Sequence, residues 1–402
     1  MSRHPRRAGK AALVLAAALA PAALGAQSPA PPPARPRPPA APASASFETL
    51  SREADAAREA GRLDEAVATY NKALRIKPAW PEGKWYLGTT LYELGRYDAA
   101  LRAFSGLVAE QPLNGPAWGF KGLCEFQGKA YETAILDLLK AREIGFGPNK
   151  ELASVVRYHS GIVLTRFEQF EYALQILSEF AVEGNDNPKV IEAMGTAALR
   201  IPSLPEGVAE NRRAAVLLAG RGAYYIASQA PQAAGKAFED LVAQYPDMPN
   251  VHYAYGVYLL REEPDKAIEE FKKEIARSPG HVPSILQIAF EYIKRSDWES
   301  AKPWAQQAVE LAPREFPQRQ AYGQVLLELG DVPGAIEQLE TGLKVAPESP
   351  TLHFTLARAY QKAGRNEEAE RERLEFMRLQ RQGRTSRSGS QSIGGKPETT
   401  PP

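Results

Sequence analysis

The sequence predicts an all-α fold, a solenoid of about ten helix–turn–helix repeats. The first observation is an interval of 34 residues. Gly61, Gly95 and Lys129 stand 34 apart at a turn, as do Ala66, Ala100 and Ala134, then Tyr70, Phe104 and Leu138. The second is its return far downstream, in Ala301, Ala335 and Ala369 and in Pro313 and Pro347. The third is composition: helix formers dominate, no Val/Ile/Thr alternation marks strands, and proline falls mostly between predicted helices. Repeats of this length bury a hydrophobic face only by stacking on their neighbours.

The residue types fit that architecture. Gly88 and Ala100 are small where two helices cross, whereas Phe104 and Tyr70 are large enough to fill the space between one unit and the next. Pro112 ends a second helix, because proline lacks the donor and clashes with the preceding turn. The segment Trp85-Tyr-Leu-Gly88, with Tyr92, Gly95-Arg-Tyr97, Ala100, Phe104 and Pro112, resembles the tetratricopeptide repeat. The resemblance covers residues 47–383 and implies a right-handed superhelix that binds proteins through a concave groove lined by the first helix of each unit.

Taken in order, the chain begins with Arg3, Arg6, Arg7 and Lys10, an apolar run from Ala11 to Gly25, and small residues before Gln27. This is the order of a secretory signal peptide over residues 1–26, and it predicts an exported chain, periplasmic or extracellular. The run is short for a membrane span and Pro21 interrupts it, so membrane association is expected only if this segment stays uncleaved. Residues 27–46 are rich in Pro, Ala and Ser and read as an extended spacer.

The repeat units are expected at 47–80, 81–114, 115–148, 154–187, 188–214, 215–248, 249–281, 282–315, 316–349 and 350–383. Residues 149–153 are an insertion that lengthens a first helix. In the fifth unit Pro202 and Pro205 leave the second helix short, distorted or missing. This sets an N-terminal array at 47–200, an irregular break at 201–213 and a C-terminal array at 214–383. The tail 384–402, rich in Gly, Ser, Thr and Pro, is expected to be disordered.

Formal net charge is +1, and loss of residues 1–26 would leave about −3, so no overall electrostatic drive toward nucleic acid is expected. Cys124, the one cysteine, can form no internal disulfide and reads as a small buried apolar residue. No HExxH, CxxC or Gly-x-Ser-x-Gly motif occurs, and no two histidines of the repeats stand at ligand spacing on one helix. No catalytic, cofactor-binding or metal-ligating residue is assigned, and no cofactor is expected. The chain reads as a binding scaffold, not an enzyme; a site assembled across units from acids and His159, acting on envelope polymers, is the alternative.

The partner is expected to be a protein or peptide. Carrying the family's groove positions onto this sequence gives Trp85, Thr89, Tyr92, Phe126, Tyr158, Ile162, Tyr253, Phe290 and Phe354. Such residues offer contact area at low entropy cost, yet periodicity alone does not separate groove exposure from packing between first helices. A second series, five residues after the small residue of each first helix, includes Arg166, Arg200, Arg261 and Lys294. It forms either a basic strip along the groove or a set of cations that favour helix C-termini. The asparagines and lysines with which some family members grip acidic C-terminal peptides are absent, since Trp85, Thr89, Gly119, Leu123, Tyr158 and Ile162 occupy those positions.

Overall fold

The computed structural model describes residues 42–391, and side chains from 46 to 382. The expected signal peptide and most of the spacer lie outside the described residues, as do residues 392–402. The described residues hold nineteen α-helices and no strand. They divide into two compact units, the first ending at Ile176 and the second starting at Leu177.

In the first unit α1 (Pro42–Glu59) pairs with α2 (Leu63–Ile76), α3 (Pro81–Glu93) with α4 (Tyr97–Glu110), and α5 (Gly115–Gln127) with α6 (Tyr131–Ile144). Each second helix packs on the next first helix, ending with α6 on α7 (Lys150–Arg166). First helices also touch one another, α3 with α5 and α5 with α7. Helix α1 starts inside the expected spacer, and the insertion is absorbed by α7, which begins at Lys150. Helix α8 (Phe170–Val182) spans the division between the units.

The second unit opens with α9 (Pro188–Ala198), an irregular stretch containing the 3-10 turn Pro205–Gly207, and α10 (Glu210–Ala227). The fifth repeat therefore has no second α-helix, and α10 takes its place against α9. The two backbones touch: a Cβ on Gly195 would lie 1.9 Å from the Val216 carbonyl oxygen, and one on Gly220 1.9 Å from that of Ile191. Regular pairs follow: α10 with α11 (Pro231–Gln244), α12 (Val251–Leu259) with α13 (Pro264–Arg277), and α14 (Val282–Lys294) with α15 (Trp298–Leu311). Then come α16 (Phe316–Glu328) with α17 (Val332–Val345), and α18 (Pro350–Lys362) with α19 (Asn366–Gln391). Helix α19 runs past the expected end at Gly383, with no proline to stop it before Pro397.

One size rule organises the core. A glycine on the first helix faces a large residue on its own second helix. An added Cβ would come within 2.7 Å of Phe104 at Gly88, 2.9 Å of Leu138 at Gly122, and 2.6 Å of Phe238 at Gly222. The same approach is 2.5 Å to Phe271 at Gly256 and 2.7 Å to Leu339 at Gly323. Where the first helix carries Ala289, the facing position shrinks to Ala305, and both are fully buried. In the last repeat the position of Phe104 is taken by Arg373, which is exposed and paired with Glu370. A charge there ends the apolar stack, as a capping helix requires.

The turns follow from backbone chemistry. Gly61 and Gly95 take φ of 71°, a region glycine enters without steric cost, and Lys129 takes φ of 62° at the equivalent place. Asn114, Asn149, Asp297 and Asp331 cap helix N-termini, each accepting from a backbone N–H in the first turn.

Candidate protein-binding face

Three positions on each first helix share a narrow stripe: three before, one after and four after the small residue that meets the second helix. In the first unit this stripe is aromatic. Trp85 lies edge-on to Phe120 at 5.5 Å and to Phe104 at 5.9 Å, and Tyr92 meets Phe120 and Tyr97, each at 5.3 Å. Phe126 packs on His159 at 4.6 Å and Tyr131 at 5.5 Å, and Tyr158 meets His159 at 5.4 Å. Trp85, Thr89, Tyr92, Phe126 and Tyr158 are all half-buried. Each ring therefore stands on the core with part of its surface in solvent. Thr89 spends its hydroxyl on the Trp85 carbonyl at 3.1 Å. Burial, with the nearby Cys124 next, pushes the Tyr92 phenol well above its usual range.

Two residues of the series are not on an open face. Ile162 is 1% exposed, in a run from Ser160 to Thr165 that is buried without interruption. A helix buried all round has neighbours on every side, so the insertion-extended α7 offers no open stripe at that level. Tyr253 is 7% exposed, with its ring on Phe271 at 5.9 Å and His281 at 5.2 Å and the Arg200 guanidinium 5.5 Å from its centroid. Phe290 is half-buried against the core of α14–α16. Phe354 is 47% exposed and leans on Phe376 at 5.3 Å. On the same stripe the aromatic series passed over Ile226 and Val257, which are 46% and 40% exposed.

The four cations stand at helix ends. Arg166 and Lys294 are the last residues of α7 and α14, and Arg200 and Arg261 lie just past α9 and α12. Each is engaged locally: Arg166 over the Tyr131 ring at 4.8 Å, Arg200 over Tyr253, Arg261 with Glu262 at 3.3 Å, and Lys294 with Glu291 at 3.5 Å. This arrangement is that of cations meeting helix C-termini.

Three polar constellations were not foreseen. Lys121 on α5 bonds Glu125 at 3.1 Å and, more closely, Asp137 on α6. Glu125 and Asp137 are both buried, and burial together with Asp137 pushes the Glu125 carboxyl up to about 7. Glu274, fully buried on α13, caps α12 by accepting from the Asn250 N–H at 2.9 Å and the Tyr253 N–H at 3.3 Å. His281 accepts at Nδ1 from the Ser284 N–H, 3.3 Å away, so its Nε2–H donates to Asn250 Oδ1 at 2.9 Å; burial, then Arg200, push its imidazolium down to about 4. A sequence signal existed only for Lys121 and Glu125, whose i,i+4 spacing is a helix pair. The Glu274 bonds and the His281–Asn250 bond join separate helices, whereas His281 to Ser284 is a local cap of α14.

These groups brace helices against one another. A cavity of about 470 Å³ beside Tyr255, Leu259, Ile268 and Tyr292 is edged by Lys272 and Lys273, paired with Glu269 at 3.0 Å and Glu270 at 2.6 Å. Among the described residues no group of three or more His, Cys, Asp or Glu side chains is placed to hold a metal ion. Likewise, no helix there is long and apolar enough to cross a membrane. Cys124 is buried, its thiol pushed up to about 12 by burial and then by Glu125.

The class defined by this geometry is an all-α repeat scaffold. Comparison with known proteins supports the tetratricopeptide repeat family. Family models match as a TPR repeat at residues 54–95, as a tetratricopeptide repeat at 87–148, and as the middle TPR-like domain of cilia and flagella-associated protein 70 at 227–380. The TPR repeat-containing protein MJ1428 of Methanocaldococcus jannaschii is 24% identical over 348 residues, covering 81% of this chain and 54% of that protein. The protein CTR9 homolog of Arabidopsis thaliana is 24% identical over 338 residues, covering 82% of this chain and 28% of that protein. The chain thus spans about half the length of the first of these relatives and less of the second. Among solved structures, MamA is 17% identical with a TM-score of 0.38, covering 41% of this chain and 96% of that one. MamA from Desulfovibrio magneticus is 18% identical with a TM-score of 0.39, covering 42% and 96%.

Proposed function

We propose that this chain is an exported scaffold that holds protein partners on the first-helix stripe of its repeats, assembling complexes of the cell envelope without chemistry of its own. The observation that supports the binding face is a contrast between the core-facing second helices and the stripe of the first helices. Core residues such as Phe238, Phe271 and Leu339 are almost wholly buried, whereas Ile226, Val257 and Phe354 are 40–47% exposed. Single exposed apolar residues such as Leu113 and Leu136 occur elsewhere, so the support lies in the recurrence of such residues at equivalent stripe positions of successive first helices. Export is supported by the basic start, apolar run and small residues that precede Gln27.

Site-specific photo-crosslinking tests the face. A photoreactive residue at Val257 or Phe354 is expected to give protein adducts in intact cells. One at Leu136, which is 67% exposed on the second helix α6, is expected to give none. Equal adducts from Leu136, or none from the stripe, would overturn the reading. Intact mass tests export: a mature chain starting at or near Gln27 is expected, and the mass of the full 402 residues contradicts cleavage.

A further inference from the structure

The first-helix face of the first unit carries two lines of rings, Tyr92–Phe120–Trp85 and Phe126–His159–Tyr158, with every neighbouring pair between 4.6 and 5.5 Å. All but Phe120 are half-buried, so part of each of the other five rings reaches solvent. The chain immediately before α1 has the complementary composition. Residues 28–39 hold prolines at 29, 31, 32, 33, 36, 38 and 39, two arginines, no acid and no large apolar side chain. Such a segment favours a polyproline II helix, which loses little entropy on binding and docks its rings on aromatic-lined grooves.

We propose that the chain's own proline-rich segment, residues 28–39, lies along this aromatic strip. The inference rests on the first-helix stripe being a binding face, and it names what occupies that face in the first unit.

Reach and charge both allow the docking. Twelve residues of polyproline II extend about 37 Å. Crossing from α1 past α3 and α5 to α7 takes about 30 Å at the usual 8–10 Å between packed helices. Arg35 and Arg37 would run beside α3, whose first and last turns expose Glu82 and Glu93. Of the cations near the strip, Arg166 is held over Tyr131 and Lys121 by Glu125 and Asp137. A partner for this face must then displace the segment or bind beside it.

The test labels the full chain with bimane at Ala34→Cys. Cys124 is buried and its thiol raised, so the label goes to position 34. Tryptophan quenches bimane on contact. Emission is expected to be at least twofold lower than in the same chain carrying Trp85→Phe, and to recover when excess peptide of residues 28–39 is added. Pro32→Ala with Pro33→Ala, which precede the first repeat in sequence, is expected to raise emission while leaving Tm unchanged, which guards against a Trp85 variant that folds poorly. Emission unaffected by Trp85→Phe, by the proline pair or by the peptide overturns the docking. If that occurs while stripe residues still give partner adducts, the segment proposal alone has failed. Loss of both removes the face itself.

Discussion

Gly88→Ala tests the size rule at a contact where the facing ring is itself backed by other aromatics. The added Cβ would stand 2.7 Å from Phe104 Cζ and 2.9 Å from Cε1 and Cε2, against an ordinary contact of about 3.5–4.0 Å. The ring must therefore retreat by roughly 1 Å, but it is held from behind. Phe120 stacks on it at 5.2 Å with a 9° interplanar angle, and Trp85 closes the edge. Overpacking of this kind costs about 1–3 kcal/mol, and the better helix propensity of alanine returns up to about 1. The net expectation is a loss of about 1–2 kcal/mol. Gly106→Ala is the control: it lies on the paired helix α4, where an added Cβ meets only the Lys84 side chain, at 3.9 Å. That change should stabilise by about 0.5–1 kcal/mol. Urea unfolding followed by tryptophan fluorescence reads both. If Gly88→Ala is as stable as the parent chain, or shifts in the same direction as Gly106→Ala, the steric account of the repeat is wrong.

Three further expectations follow from single contacts. Lys129→Gly relieves a non-glycine residue at φ 62°, and should raise stability by about 1 kcal/mol in the same urea titration. Burial, then Asp137, push the Glu125 carboxyl up to about 7 from its ordinary value of 4.5, so the folded chain holds a proton that the unfolded chain has lost between those values. Stability should therefore fall as pH rises from about 4.5 through about 7, and Glu125→Gln should flatten that slope and gain about 1–2 kcal/mol above it, read by Tm against pH. Removing residues 366–391 strips the cap that carries Arg373; light scattering should show association, and a monomeric product with unchanged Tm would refute the capping role.

Much of the fold was legible because the repeat is written in local size relations. Gly88 and Phe104 lie sixteen residues apart, and the same spacing recurs at Gly122 and Leu138, Gly222 and Phe238, and Gly323 and Leu339. Pro202 and Pro205 marked the place where a second helix is missing, yet nothing local showed that α10 would pack against α9 through Gly195 and Gly220. The stripe was legible as a stripe, but its exposure was not. Ile162 and Val257 both stand one residue after the glycine of their first helix, and only Val257 is open to solvent. The difference lies in what neighbouring helices place over each position, as Arg200 and His281 do over Tyr253. The buried set of Lys121, Glu125 and Asp137 was hidden for the same reason, since Asp137 arrives from a different helix.

The central claim separates two kinds of aromatic residue in one repeat: Phe104 as core and Tyr92 as contact surface. The direct measurement is Tm and partner crosslinking on the same two alanine variants. Phe104 is fully buried, so Phe104→Ala should cost about 3–5 kcal/mol and unfold the repeats around it. Tyr92 is only half-buried, so Tyr92→Ala should melt much closer to the parent chain while partner binding weakens by about 1–2 kcal/mol. If Tyr92→Ala melts as early as Phe104→Ala, or binds partners as the parent does, the stripe is core and the proposed face is wrong.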